Sequence, residues 1–156
     1  MKRNRKKLFI SIAFPFWIAY LAYRATEDAL LPLSMLFYPF LTPSKSIFCF
    51  LYGCFSLVIG YSCFRIWTSV TTFEKKRIAL FGYCIQLAFV FFWHIIFAGL
   101  REYFFGAVCG IILCLVTFEN WKRFRKIDFI SGILLLGCLA WYVFCVYLNF
   151  GVWVLN

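Results

Sequence analysis

Five long apolar stretches, separated by short polar segments, constrain the fold of this chain more than any other feature of its sequence. An α-helix needs about 20 apolar residues to cross the hydrocarbon core of a bilayer. In lipid, every backbone polar group must be satisfied within the protein, which favours helices. We therefore predict an all-α membrane protein, a bundle of five transmembrane helices that forms one domain over residues 1–156. The predicted spans cover residues 8–23, 46–67, 78–100, 103–118 and 129–150.

The composition argues against a water-soluble domain. Hydrophobic residues make up 65% of the 156 residues, and aromatic residues make up 24%, more than soluble domains of this size contain. A formal net charge of +10 is also found in proteins that bind nucleic acid. Here the Lys and Arg residues lie between the apolar spans and not on one polar face. We therefore expect the lipid bilayer to be a partner of this chain, and no nucleic acid.

The distribution of Lys and Arg predicts which end of the bundle faces the cytoplasm. Twelve of them lie before the first span and in segments 68–77 and 119–128, against three in the segments at the other end. Cytoplasmic loops of membrane proteins carry such an excess, so the N-terminus is expected inside and the C-terminus outside. The basic start has the outline of a signal peptide but no small-residue cleavage pattern before Tyr23. We expect it to remain as the first helix, in a bacterial inner membrane.

The sequence contains no pattern typical of a catalytic or metal site. Its eight Cys residues lie in apolar stretches and form no Cys-x-x-Cys pair. Packing is their expected role, and no metal site is predicted. His94 is the only histidine, and the spans contain no clustered carboxylates. Two roles fit His94: ligation of a haem iron, or a hydrogen bond near the outer end of its helix. Enzymatic activity is not the favoured interpretation.

Spans three and five each carry polar and aromatic side chains at intervals of three and four residues, which places them on one helical face. In one interpretation, the two faces line a cavity for a flat apolar molecule that aromatic rings stack on and amides orient. In the other, they form an aromatic core in which Gln86 and Asn149 make hydrogen bonds between helices. The residues of the two faces are Tyr83, Gln86, Val90, Trp93, His94 and Phe97, and Gly137, Cys138, Trp141, Phe144, Cys145, Leu148, Asn149 and Val152.

Two further features leave alternatives open. The apolar segment 29–43 contains three prolines, which argue against one long helix. It is predicted to lie over the mouth of the bundle, either as a lid that faces a ligand or as an anchor at the membrane interface. In span four, Gly106 and Gly110 allow a neighbouring helix to approach closely, either within one chain or between two chains.

Spans three and five resemble the TspO/MBR family of tryptophan-rich sensory proteins. Span three is similar to the family pattern Tyr-x-x-Gln-Leu-x-Leu-Asn-x-x-Trp-Ser, and the segment 97–101 is similar to the Phe-Phe-Gly-x-Arg turn that follows it. The end of the chain is similar to Leu-Leu-x-Pro-Tyr-x-x-Trp-x-x-Phe-Ala-x-x-Leu-Asn. The matching positions run in register over about residues 36 to 156. They include Tyr83, Gln86, Leu87, Trp93, Leu134, Leu135, Trp141, Phe144, Leu148 and Asn149.

The resemblance implies a five-helix bundle, often dimeric, with a pocket that the first loop closes. Family members bind tetrapyrroles such as protoporphyrin IX and haem. The expected partner is a small apolar ligand, here a tetrapyrrole, and no cofactor is required. A second copy of the chain, in a homodimer, is the other expected partner. The implied role is sensory, sequestration or transport. Carried over by position, the ligand-binding residues are Phe50, Tyr83, Gln86, Trp93, Trp141, Phe144, Cys145 and Asn149.

The sequence departs from the family pattern at positions that bear on function. Ser46 stands where the family has a loop Trp, and Val90 stands where it has the Asn of span three. Some bacterial members are proposed to degrade porphyrin in light, using the loop Trp together with the span-five Trp, here Trp141. Because one member of that pair is absent, tetrapyrrole binding is favoured over photo-oxidative degradation. A ligand-free interaction or regulatory protein is the third hypothesis.

Overall fold

Five α-helices make up the bundle in the computed structural model, which describes residues 2–26 and 36–156. All five are long and apolar enough to cross a membrane. The predicted all-α bundle of five transmembrane helices is therefore confirmed. A π-helical turn, Ile95–Gly99, continues the third helix. The helices are α1 Lys2–Thr26, α2 Lys45–Thr68, α3 Phe73–His94, α4 Tyr103–Ile127 and α5 Phe129–Leu155.

The helices extend beyond most of the apolar spans that the sequence predicts. The clearest case is α4, which continues past residue 118 to Ile127. Segment 119–128 is therefore not a loop, because Asp128 alone separates α4 from α5 and its side chain caps α5 by accepting a hydrogen bond from Ser131 N. Hydropathy identifies the part of a helix that lies in hydrocarbon. A helix can continue beyond the bilayer, and its side chains there are polar.

The helices pack around the bundle in the order α1, α2, α5, α4, α3, and α3 returns to contact α1. Helix α2 also contacts α3 across this ring. The arrangement turns one face each of α2, α3 and α5 towards a common interior. These are the helices that carry the predicted pocket residues, so the packing order brings their inner faces together.

The glycine pair of α4 serves packing within one chain. A Cβ atom added at Gly110 would lie 2.8 Å from Val146 Cγ2, and one added at Gly106 would lie 3.2 Å from Asn149 Nδ2. Both contacts are with α5, which fits the close approach that small residues permit in membrane bundles. The sequence left open whether this pair packs within one chain or between two chains. The structure contains the contact within one chain.

The outer surface of the bundle is apolar, and amides lie inside it. Phe50 is 70% exposed and Phe81 is 67% exposed, whereas Gln86 and Asn149 are 0% and 1% exposed. In water, large apolar patches are rarely left exposed on a monomer. This distribution suits a protein whose outer side chains contact lipid tails, so the structure agrees with the bilayer as its surroundings.

The segment 36–44, which precedes α2, lies against the C-terminal end of α5. The side chain of Asn156 holds it there by two hydrogen bonds to the backbone of Phe37. Asn156 Oδ1 accepts from the Phe37 N–H at 3.0 Å, and Nδ2 donates to the Phe37 carbonyl oxygen at 3.0 Å. Residues 29–35 of the segment predicted to cover the mouth lie outside the described residues. Whether the segment acts as a lid or as an anchor stays a prediction.

Candidate functional site

Trp141 of α5 lies at the centre of a group of aromatic rings inside the bundle. Its indole stacks on Phe55 of α2, with ring centroids 5.0 Å apart and 14° between the ring planes. Phe48 and Phe144 pack against it at centroid distances of 5.3 and 5.8 Å. Trp141 is 6% exposed, so the indole is shielded from lipid. We call these four residues, Phe48, Phe55, Trp141 and Phe144, the Trp141 cluster.

Trp93 of α3 and Cys145 of α5 extend this cluster towards the end of the bundle where α5 ends. Both are buried and pack in one core group with Trp141. The Trp93 indole also stacks on Phe97 of the π-helical turn, with centroids 6.1 Å apart. The structure therefore brings four of the predicted pocket residues together, namely Trp93, Trp141, Phe144 and Cys145.

A small cavity lies beside Trp141. Its volume is about 20 Å³, enough for about one water molecule. Val90 forms part of its wall, so the position that carries Asn in the family pattern presents an apolar side chain here. The Trp141 cluster is closed in this structure, with each of its three Phe rings packed on the Trp141 indole. The cavity is lined by Pro15, Tyr52, Phe55, Ser56, Ile59, Leu87, Val90, Trp141 and Tyr142.

Gln86 of α3 is fully buried, and its Oε1 accepts a hydrogen bond from Asn120 Nδ2 of α4 at 3.0 Å. This is an interhelical amide bond of the kind that the packing interpretation expects. Sequence reasoning misses Asn120, because it ends span four at residue 118. The signal that could have found it is the helical spacing of Leu113, Thr117, Asn120 and Phe124, all of which are buried.

Tyr83 lies about one helical turn from Gln86 but belongs to a neighbouring core group. It is 3% exposed and packs with Ile59 and Leu87. Its hydroxyl has no hydrogen-bond partner among the described residues. Ile59 and Leu87 also line the cavity beside Trp141. Tyr83 therefore supports the wall of that cavity from the half of the bundle in which α3 begins.

Phe50 does not join the other predicted pocket residues. Successive residues of an α-helix are rotated by about 100°, so two positions along α2 turn Phe50 about 200° away from Phe48. Phe48 packs on Trp141, and Phe50 is 70% exposed. The structure places Phe50 on the side of α2 that faces away from the bundle.

Two buried side chains near the end of the bundle where α5 ends have polar atoms without a hydrogen-bond partner among the described residues. Asn149 is 1% exposed, and neither its Oδ1 nor its Nδ2 is paired. The Nε1–H of Trp93, which is 9% exposed, is also unpaired. Leaving a buried donor or acceptor unpaired costs about 1–3 kcal/mol. These atoms are therefore available to a polar group that enters the bundle.

His94 makes a hydrogen bond to its own helix. Its Nδ1 lies 2.7 Å from the Val90 carbonyl oxygen. Because a carbonyl oxygen only accepts, we assign the proton to Nδ1, and Nε2 keeps its lone pair. The ring packs edge-on against Tyr52, one of the cavity residues, with centroids 5.3 Å apart. The structure contains the predicted hydrogen bond, and iron ligation stays an untested alternative.

The sequence is similar to a known family and to two of its relatives. A family model described as the TspO/MBR family matches residues 9–154. Protein CrtK of Rhodobacter capsulatus is 25% identical over 118 residues, which are 76% of this chain and 74% of that protein. Translocator protein of Ovis aries is 26% identical over 112 residues, which are 71% of this chain and 66% of that protein. The match to the family model reaches into all five helices of the bundle.

Proposed function

This chain belongs to the TspO/MBR family, and on that premise we propose that it binds a tetrapyrrole, protoporphyrin IX or haem, at the Trp141 cluster. The observation that carries this proposal is the stack of rings from α2 and α5 on the Trp141 indole, enclosed within the bundle. Flat conjugated molecules bind well against such ring faces. The role is sensory, sequestration or transport, and the name of one relative, Translocator protein, favours transport.

Binding requires the Trp141 cluster to open. A tetrapyrrole is far larger than the cavity of about 20 Å³ beside Trp141, so Phe48 and Phe55 of α2 have to move away from the indole. The macrocycle of the ligand then packs against the indole in their place. Opening therefore exchanges one set of stacking interactions for another, and its net cost is small compared with that of exposing the rings to water.

The experiment that tests this proposal is a titration of the detergent-solubilised protein with protoporphyrin IX, followed by tryptophan fluorescence. We expect saturable quenching, because the ligand lies against Trp141 and near Trp93. A soluble tryptophan derivative in the same micelles is the control for partition and light absorption. If neither protoporphyrin nor haem quenches the protein more than the control, the chain does not bind tetrapyrroles and the ligand-free hypothesis gains support.

The orientation in the membrane is the second part of the proposal. The start of α1, the link from α2 to α3 and the link from α4 to α5 share one end of the bundle. Thirteen of the 16 Lys and Arg residues lie at this end. By the excess of basic residues in cytoplasmic loops, we place this end in the cytoplasm, in a bacterial inner membrane. The homodimer implied by the resemblance stays a prediction.

Fusions to the C-terminus test this orientation in a bacterial host. Alkaline phosphatase folds and is active on the outer side of the membrane, whereas green fluorescent protein exported in unfolded form stays dark. We expect a phosphatase fused after Asn156 to be active and a fluorescent protein at the same position to be dark. The reverse pattern would place the basic end outside and refute the proposed orientation.

A further inference from the structure

The unpaired polar atoms of Asn149 and Trp93 face one patch of α4. A Cβ atom at Gly106 would lie 3.2 Å from Asn149 Nδ2, and one at Gly110 would lie 3.7 Å from Trp93 Nε1. The two glycines are four residues apart, which is about 6 Å along the helix axis. The two N–H donors therefore lie beside neighbouring turns of α4.

Asn149 lies about two turns beyond Trp141 on the buried side of α5, rotated by about 80° around the helix axis. Trp141, Cys145 and Asn149 follow one another at intervals of four residues, and all three are buried. Eight residues correspond to about 12 Å along the helix. This length is comparable with the distance across a tetrapyrrole macrocycle to a carboxyl group on its rim. A flat ligand that stacks beside Trp141 is therefore long enough to reach Asn149 with its edge.

Asn149 differs from the other buried amides of the bundle. Gln86 and Asn120 bond to each other at 3.0 Å and join α3 to α4. Asn149 has no such bond within the described part of the chain, although almost none of its surface is exposed. A hydrogen bond between helices therefore does not explain why an amide is buried at this position. A hydrogen bond to a polar group of a ligand would explain it.

We propose that Asn149 and Trp93 form a polar subsite for a carboxylic acid group of the ligand, an inference that rests on the proposed tetrapyrrole binding. The acid and the amide are complementary. Asn149 Nδ2–H donates to the carbonyl oxygen of the acid, and the acid O–H donates to Asn149 Oδ1. The Trp93 Nε1–H donates to an oxygen of the same acid group. All three unpaired atoms gain partners. The carboxylate takes up a proton from solvent on entry, because burial raises the pKa of a carboxyl group, and no charge is then buried.

The test compares two porphyrins that share a macrocycle. Protoporphyrin IX carries carboxylic acid side chains, and etioporphyrin carries alkyl groups alone. We expect the wild-type protein to bind protoporphyrin about tenfold more tightly than etioporphyrin, since the subsite adds three hydrogen bonds, each of small net value. Asn149→Leu should weaken protoporphyrin binding by about tenfold and leave etioporphyrin binding unchanged. Asn156→Leu, the same substitution at an amide that pairs with Phe37, should leave the preference intact.

Several outcomes overturn the subsite. Equal wild-type affinity for the two porphyrins does so and leaves tetrapyrrole binding standing. An equal loss for both porphyrins in Asn149→Leu means that the residue acts through packing. If the wild-type protein binds neither porphyrin, the proposed function falls together with the subsite. Should Asn149→Leu fail to fold, Trp93→Phe decides the same comparison, because it removes the N–H donor and keeps an aromatic ring.

Discussion

Replacing Trp141 with Ala is expected to destabilise the folded protein by about 3–5 kcal/mol and to abolish saturable protoporphyrin binding. The indole contacts Phe48, Phe55 and Phe144, so its removal leaves a large hole between α2 and α5. The surrounding rings cannot fill this hole without moving their helices. Thermal unfolding in detergent measures the first effect, and a porphyrin titration by ligand absorbance measures the second.

Two further variants separate folding from binding. Trp141→Phe keeps an aromatic face in the Trp141 cluster, so we expect most of the stability to return and porphyrin affinity to be reduced without being lost. Trp17→Ala is the matched control, because Trp17 is 58% exposed on α1 and its loss should change neither property. A Trp141→Ala protein that folds and binds porphyrin as the wild type does would show that the ligand does not use this cluster.

The second large effect concerns Asp128, which links α2 to α5 at the basic end of the bundle. Its carboxylate accepts two hydrogen bonds from Arg65, from Nε and Nη2, at 2.8 Å each. It also accepts bonds from the backbone N–H and the hydroxyl of Ser131, at 2.8 and 2.7 Å. Asp128→Ala removes both the ion pair and the helix cap. We expect a loss of about 3 kcal/mol in the free energy of unfolding.

Asp128→Asn is the matched variant, because Asn is an equally good cap and carries no charge. We expect it to lose about 2 kcal/mol, less than Asp128→Ala. The side chains of Arg65 and Asp128 are 28% and 21% exposed, so solvent screening reduces the value of the pair. Equal stability of the Asn variant and the wild-type protein would mean that the ion pair contributes nothing and that the cap carries the whole effect.

The pH dependence of this pair has a definite sign. Hydrogen bonds from the Arg65 guanidinium, and then those from Ser131, hold the pKa of the Asp128 carboxyl well below its usual range. A lowered folded-state pKa contributes stability that is present above the unfolded-state pKa and is lost as the pH falls through the folded-state value. The gap between wild type and Asp128→Asn should therefore stay constant from about pH 7 to 5 and shrink below about pH 4.

The number and class of the helices could be predicted from the sequence, because burial in lipid imposes about 20 apolar residues per helix. The ends of the helices could not. Helix α4 runs through its polar residues to Ile127, and Asn120 therefore lies inside the bundle. Hydropathy identifies the residues that lie in the lipid layer. It does not identify the residue at which a helix ends.

The candidate site could be predicted in part, because side chains at helical spacing share a face. That rule places Trp93, Trp141 and Cys145 correctly in one core group. It does not tell which face of α2 turns inward, since α2 is apolar on every side, and Phe50 lies on the outer face as a result. Nor does it give the partner of a buried amide, because the bond from Asn120 to Gln86 depends on how α3 and α4 pack.

The most direct test of tetrapyrrole binding inside the bundle is a crystal structure of the protein with protoporphyrin IX bound. We predict that the macrocycle lies against Trp141, with Phe48 and Phe55 displaced from the positions they occupy here. One carboxyl group should lie within hydrogen-bonding distance of Asn149. A porphyrin on the outer surface beside Phe50, with the Trp141 cluster still closed, would contradict this prediction.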